Sequence, residues 1–279
     1  MRKILPFLRI VRFGNVVMTA IAVFLGSWIT QTVEWHSTVL LMIAAMSATG
    51  FGNVINDLKD ISSDRINHPH RPLANNEMST VSAWVFVVFL IVLSVSAAVA
   101  VSLFYVKATL FPIFLLLIYS LYLKKTPLAG NLLVAILVGY ALLYPALPFE
   151  QRTILLVPAG LAFLLNFCRE IIKDLQDCTG DKATGIVTSA SLPIPLLKFL
   201  LTLAALLYLP LLFIPVISGH FGIIYAGISL FCIIPLHVVW YSKLLKKEFP
   251  NNTSGISKIL KIEMAAGLMA LAVDKALLF

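Results

Sequence analysis

The chain has 279 residues, 60% of them hydrophobic and only 12% charged, with a mean hydropathy of +0.96 and a formal net charge of +8. Soluble domains hold roughly 45–50% apolar and about 25% charged residues, so a water-soluble core cannot hide this content, and disorder, which goes with few apolar residues, is excluded. Cys168, Cys178 and Cys232 share no ligand spacing and support neither a disulfide framework nor a zinc site.

The first twelve residues, with Arg2, Lys3, Arg9 and Arg12 among bulky apolar ones, begin like a signal peptide. Arg9 and Arg12 interrupt what would be its apolar stretch, so the segment reads as a retained helix lying on the cytoplasmic face. Runs free of Asp, Glu, Lys and Arg then follow at 13–33, 35–56, 78–106, 108–123, 126–149, 153–168 and 199–242. A bilayer crossing takes about 20 residues, and the last run holds two, separated by turn chemistry at Pro215 and at Ser218 through Gly222. A ninth span over 258–278 carries Lys258, Lys261 and Glu263 in its first turns. The expected architecture is an all-α membrane bundle of nine helices, a single domain over 1–279, with cap loops after helices 2 and 6.

Nine spans sort the basic residues. Lys107, Arg152 and Lys275 fall on one side, and the other eighteen of the 21 on the opposite side, which the positive-inside rule makes cytoplasmic. The positive charge is therefore a topology signal, and its dispersal over short segments argues against nucleic-acid binding.

Six of the thirteen acidic residues fall in two places on that same side. Asp57-Leu58-Lys59-Asp60 continues to Asp64-Arg65, and Asp174-Leu175-Gln176-Asp177 continues to Asp181-Lys182, so D-L-x-D-x-x-x-D-basic occurs twice, displaced by 117 residues. Four intervening spans restore the same orientation, as in a parallel internal duplication with two motif-bearing halves. On a helix, positions i, i+3 and i+7 lie within about 60° of one another, so each triplet projects from one face. Two such triplets in one bundle repel unless cations lie between them, and oxygen-only ligands favour Mg²⁺ over zinc. Arg65, Arg71, Arg169, Lys173 and Lys182 are placed to clamp a diphosphate. No Walker loop or Ser/His/Asp arrangement competes, so the inventory fits a reaction driven by departure of diphosphate. A cation-coupled transporter is the alternative of a different class, since carboxylates in membrane proteins often mark ion paths.

Asn56, Asp60 and Asp64, followed by Asn67 through Arg71-Pro72-Leu73, resemble the N-x-x-x-D-x-x-x-D signature of the UbiA superfamily of intramembrane prenyltransferases. The second cluster resembles that family's D-x-x-x-D motif. The resemblance implies a bundle with a lipid-open central cavity, in which Asn56, Asp60, Asp64, Asp177 and Asp181 hold Mg²⁺ and diphosphate, supported by Asp57 and Asp174. It gives Lys124, five residues after Tyr119, a diphosphate-facing role, and Phe51, Phe163 and Phe167 are candidates to shield an allylic cation. The stretch from Arg169 through Lys182 is similar to members that add the second isoprenoid chain of archaeal-type ether lipids. That implies transfer of a geranylgeranyl group to geranylgeranylglyceryl phosphate, whose phosphate Arg169, Lys173, Lys124 and Lys125 would hold. Members that prenylate aromatic acids in quinone synthesis share the same core and remain an alternative.

Overall fold

The computed structural model describes residues 5–251 and 253–277, so Arg2, Lys3 and the far end of the ninth expected span at Leu278 lie outside the described residues. The helices are α1 (Leu5–Ile10), α2 (Phe13–Thr30), α3 (Trp35–Lys59), α4 (Ile61–Asn67), α5 (Thr80–Val99), α6 (Leu103–Leu121), α7 (Ala129–Leu143), α8 (Thr153–Ala183), α9 (Ile194–Ile217), α10 (Ile223–Ile228), α11 (Ile234–Leu245) and α12 (Thr253–Leu277). A π-helical turn over Ser229–Ile233 joins α10 to α11 into one span. No strand occurs among the described residues.

Among the described residues, eight helices are long and apolar enough to cross a bilayer. Their outward faces carry side chains such as Val85, Phe89 and Val92 of α5, more than half exposed and suited to lipid. The nine-helix expectation thus resolves into eight such candidates and α12. That helix has 25 residues, about 37 Å at 1.5 Å per residue, but it carries Lys258, Lys261, Glu263, Asp274 and Lys275. Two of these charges have partners inside the bundle. His237 Nδ1 lies 2.8 Å from Glu263 Oε1, and the Gly222 and Tyr225 amides each donate to Asp274 at 2.9 Å, tying α12 to the start of α10.

Local chemistry moves several boundaries. The Ser102 hydroxyl accepts from the Tyr105 amide (3.5 Å) and starts α6 at Leu103, so Lys107 lies inside that helix and not in the loop before it. The first segment is not confined to the surface: α1 has six residues, Ile10 is fully buried, and Phe7 meets Phe86 edge-on at 5.0 Å. Pro112, Pro158, Pro210 and Pro215 sit within helices, as membrane bundles tolerate when neighbouring groups satisfy the freed carbonyls. Small residues let helices approach closely where lipid offers no hydrophobic drive. A Cβ on Gly139 would lie 2.8 Å from the Ala159 carbonyl oxygen, so α7 and α8 meet almost backbone to backbone.

Candidate active site

The two clusters fold differently. Asn56 and Asp57 occupy the last turn of α3, Asp60 caps its C-terminus, and the chain re-enters a helix to put Asp64 in α4. The first triplet therefore straddles a break instead of following one helical face. Asp174, Asp177 and Asp181 lie along α8, whose 31 residues run about 46 Å, so the second triplet rides on a helical extension and not on a loop. α4 packs on α8, which brings the clusters together.

Five of the six cluster carboxylates have a defined partner. Arg71 Nη1 donates to both oxygens of Asp64 (2.7 and 2.6 Å) and to Asp57 Oδ1 (3.3 Å), while Arg12 Nη2 donates to the same Asp57 oxygen at 2.8 Å. Lys124 Nζ pairs with Asp60, which supports the placement of Lys124 at the cluster. His68 Nε2 lies 2.9 Å from Asp177 Oδ1. Asp181 is buried and feels the charges of Lys124, Asp177, Asp174 and Asp60, so the two clusters share one electrostatic space. Asp174 turns elsewhere: its Oδ2 accepts from Asn131 Nδ2 (2.9 Å), Ser189 Oγ (2.6 Å) and the Ser189 amide (3.2 Å), holding the loop after α8. Arg169 and Lys173 converge on Glu170 at 3.1 and 2.9 Å. Lys182, Lys125 and Arg65 are exposed, away from these contacts.

Two titrations outside the spans report the field. Burial pushes the Asp64 carboxyl above the usual carboxylate range, even though Arg71 acts to lower it. Burial would lower Arg12, but the charge and hydrogen bond of Asp57, with Asp64 and Glu170 behind it, hold its guanidinium above the ordinary value.

A cavity of about 280 Å³ opens from this end into the bundle. Arg12, Asn15, Asn53, Asn56, Asn166, Arg169, Glu170, Lys173 and Lys261 line its polar end, and apolar side chains of α2, α3, α6 to α9 and α12 line the rest. Its aromatic walls are Tyr119, Tyr140, Tyr144, Tyr208 and Tyr225. Phe51 is instead packed in the core between α3 and α5, and Phe163 and Phe167 stack on each other at 6.2 Å beside the α8 core, so the phenylalanine expectation fails. Adjoining it is a second cavity of about 250 Å³ lined by Arg12, Asn15, His68, Arg71, Arg169, Lys173, Gln176, Asp177 and Ser257.

The fit to a divalent cation and diphosphate rests on donor atoms. Asn56 Oδ1 is buried without a hydrogen-bond partner beside Asp57 and Asp60, a hard oxygen suited to such a cation. Asn166 Nδ2 and Arg169 Nε are likewise buried and unpartnered on the cavity lining, donors suited to an anion. Among the described residues no three His, Cys or carboxylate groups converge on a single point, because Arg71, Lys124, Arg12 and His68 hold the carboxylates. Sequence reasoning missed Arg12, Asn15, Asn53, Asn166, Glu170 and Lys261. A signal existed for two of them: positions 166, 170, 173, 177 and 181 follow the helical repeat, a polar stripe continuous with the second motif.

The model of the UbiA prenyltransferase family matches residues 16–255. The chain belongs to this family. Similarity to curated relatives runs end to end: it is 30% identical to the digeranylgeranylglyceryl phosphate synthase of Methanobrevibacter smithii, covering 96% of this chain and 97% of that one. It is 31% identical to the synthase of that name from Methanosphaera stadtmanae, with 96% and 98% covered. A solved structure described as digeranylgeranylglyceryl phosphate synthase in membranes superposes with a TM-score of 0.76 at 28% identity, covering 99% of each chain. A UbiA homologue of Archaeoglobus fulgidus bound to GPP and Mg²⁺ superposes with a TM-score of 0.56 at 18% identity over 96% of this chain and 99% of that one, a likeness of fold. Family membership sets aside the transporter alternative.

Proposed function

We propose that this protein transfers a geranylgeranyl group from its diphosphate to the free hydroxyl of geranylgeranylglyceryl phosphate, in Mg²⁺-dependent synthesis of ether lipids. The observation that carries the reading is an apolar cavity whose one polar end borders two carboxylate clusters and four side-chain cations, in a chain similar over its whole length to digeranylgeranylglyceryl phosphate synthases. Asn56, Asp60, Asp64, Asp177 and Asp181 would hold Mg²⁺, with Asp57 orienting Arg12 and Arg71 and Asp174 fixing the loop after α8. When bound, the metal neutralises charge on the departing diphosphate. Lys124, paired with Asp60, and Arg71, paired with Asp64, would face that diphosphate. Arg12, Arg169 and Lys173, shared by both cavities, would receive the acceptor's phosphate through charge-assisted hydrogen bonds.

The bond between C1 of the prenyl group and the diphosphate oxygen breaks with its electron pair leaving on the diphosphate, and C1 bonds to the acceptor oxygen, whose proton passes to the released diphosphate. The apolar lining excludes water that would otherwise capture the allylic fragment, and the tyrosine rings present π faces to its positive charge. The reading includes a cytoplasmic location for the N-terminus and both clusters, a ninth crossing by α12, and one domain over 1–279 with two motif-bearing halves. The test offers geranylgeranyl diphosphate with geranylgeranylglyceryl phosphate, 4-hydroxybenzoate or a dihydroxynaphthoate in parallel, with products identified by mass spectrometry. Diether lipid phosphate is the expected product. A prenylated aromatic without diether lipid would replace this reading by quinone-pathway chemistry.

A further inference from the structure

Two anionic clusters on separate segments repel, and a contact that holds them together without engaging a carboxylate leaves the clusters free for cations. Between α4 and α8 one such contact stands out. Asn67, the last residue of α4, donates from Nδ2 to the Asp177 carbonyl (2.7 Å) and accepts at Oδ1 from the Gly180 amide (2.9 Å). One neutral carboxamide thus grips a donor and an acceptor on the α8 backbone. It does so three residues after Asp64 on one side and beside Asp177 and Asp181 on the other. Gly180 is the complement: a Cβ there would lie 2.5, 2.6 and 2.7 Å from Nδ2, Cγ and Oδ1 of Asn67, so any larger residue would expel the carboxamide. The next residue, His68, meets the Asp177 side chain at 2.9 Å, so backbone and carboxylate of Asp177 are both held from the end of α4.

We infer that Asn67 is a positioning residue that sets the register between the two halves of the metal site, and that Gly180 is glycine in order to admit it. The chemistry explains the residue type. A Lys or Arg at 67 would pair with Asp177 or Asp181 and compete with the cations the clusters are built for, whereas an apolar side chain would leave them free to separate. A carboxamide holds the backbone and leaves the carboxylates available. The inference rests on the two-cluster reading above, so its test must be separable from that reading.

Spin labels at Ser62 and Thr179, both exposed, in a background lacking Cys168, Cys178 and Cys232, report the distance between α4 and α8 by electron paramagnetic resonance, without substrate or metal. The expected result is a narrow distance distribution that broadens in Asn67→Ala and in Gly180→Ala. In unlabelled protein, each substitution should raise the Mg²⁺ concentration for half-maximal turnover roughly tenfold or more, the usual cost of losing a residue that orients metal ligands. Because both act through one contact, the double variant Asn67→Ala/Gly180→Ala should be no worse than Asn67→Ala alone. Asn67→Gln keeps both donor and acceptor on a longer stem; it should fall between wild type and alanine, and it serves where Asn67→Ala does not fold. An unchanged distance distribution in both single variants, or additive losses in the double, would overturn the clamp. Full turnover by Asp177→Ala would overturn the metal-site reading and leave the distance result standing.

Discussion

Replacing Arg12 by leucine tests whether a residue that reads as a topology charge belongs to the site. Asp57 is 2% exposed and has two cations, Arg12 at 2.8 Å and Arg71 at 3.3 Å, and Arg71 is mainly engaged by Asp64. Removing one partner of a fully buried ion pair costs about 3–5 kcal/mol, and a single charge-assisted hydrogen bond contributes about 1.5–3 kcal/mol. Because Arg71 remains, Arg12→Leu should cost about 2 kcal/mol. Asp57→Asn leaves the Arg12 guanidinium at the rim of the cavity, where it is 23% exposed and partly solvated, so its cost should be about 1–2 kcal/mol. If the two act as one pair, Arg12→Leu/Asp57→Asn should cost about 2 kcal/mol instead of the sum, a coupling of at least about 1 kcal/mol. Denaturant unfolding in detergent micelles measures the cycle, and turnover assays on the same preparations should show activity lost in both single variants. Additivity within about 0.5 kcal/mol, or full activity of Arg12→Leu, would refute the reasoning.

Three further outcomes are expected. Asp60→Ala and Asp177→Ala should each abolish turnover while the protein remains folded, and activity lost to a chelator should return with Mg²⁺ and not with Zn²⁺; full activity of both variants would remove the two-cluster site. Cysteines at Ser62 or Thr179, both exposed, should react with impermeant reagents from the cytoplasmic side alone, and labelling from opposite sides would separate the clusters. Gly139→Leu should lower stability by about 1–3 kcal/mol through overpacking against Ala159, read as a reduced unfolding midpoint, whereas Gly160→Leu, with open space around it, should change it little.

Much of the architecture was legible because the bilayer acts on local properties. Uncharged runs of about 20 residues must become helices, since backbone groups in lipid have no other partners. The paired clusters were legible for a similar reason: three acids at fixed spacing, repeated in a chain with thirteen, stand out against an apolar background. α12 blurred that logic, because its charges have no reason to enter a bundle until His237 and the start of α10 are seen to pair with Glu263 and Asp274.

The chain's own sequence therefore determined the helices, their alternation and the chemistry gathered at one end of the bundle, all of which follow from short-range composition and from the solvent around it. Only the tertiary structure decided which partners those groups take. The left-handed backbone at Arg12 (φ 54°) precedes α2 and accompanies a guanidinium pairing with Asp57, 45 residues away. Helix packing selected tyrosines over phenylalanines for the cavity wall, broke the first triplet at Asp60 while leaving the second on a continuous helix, and seated Asn67 against Gly180. Such contacts depend on how helices distant in sequence approach one another, and a local pattern of residue types carries no record of that distance.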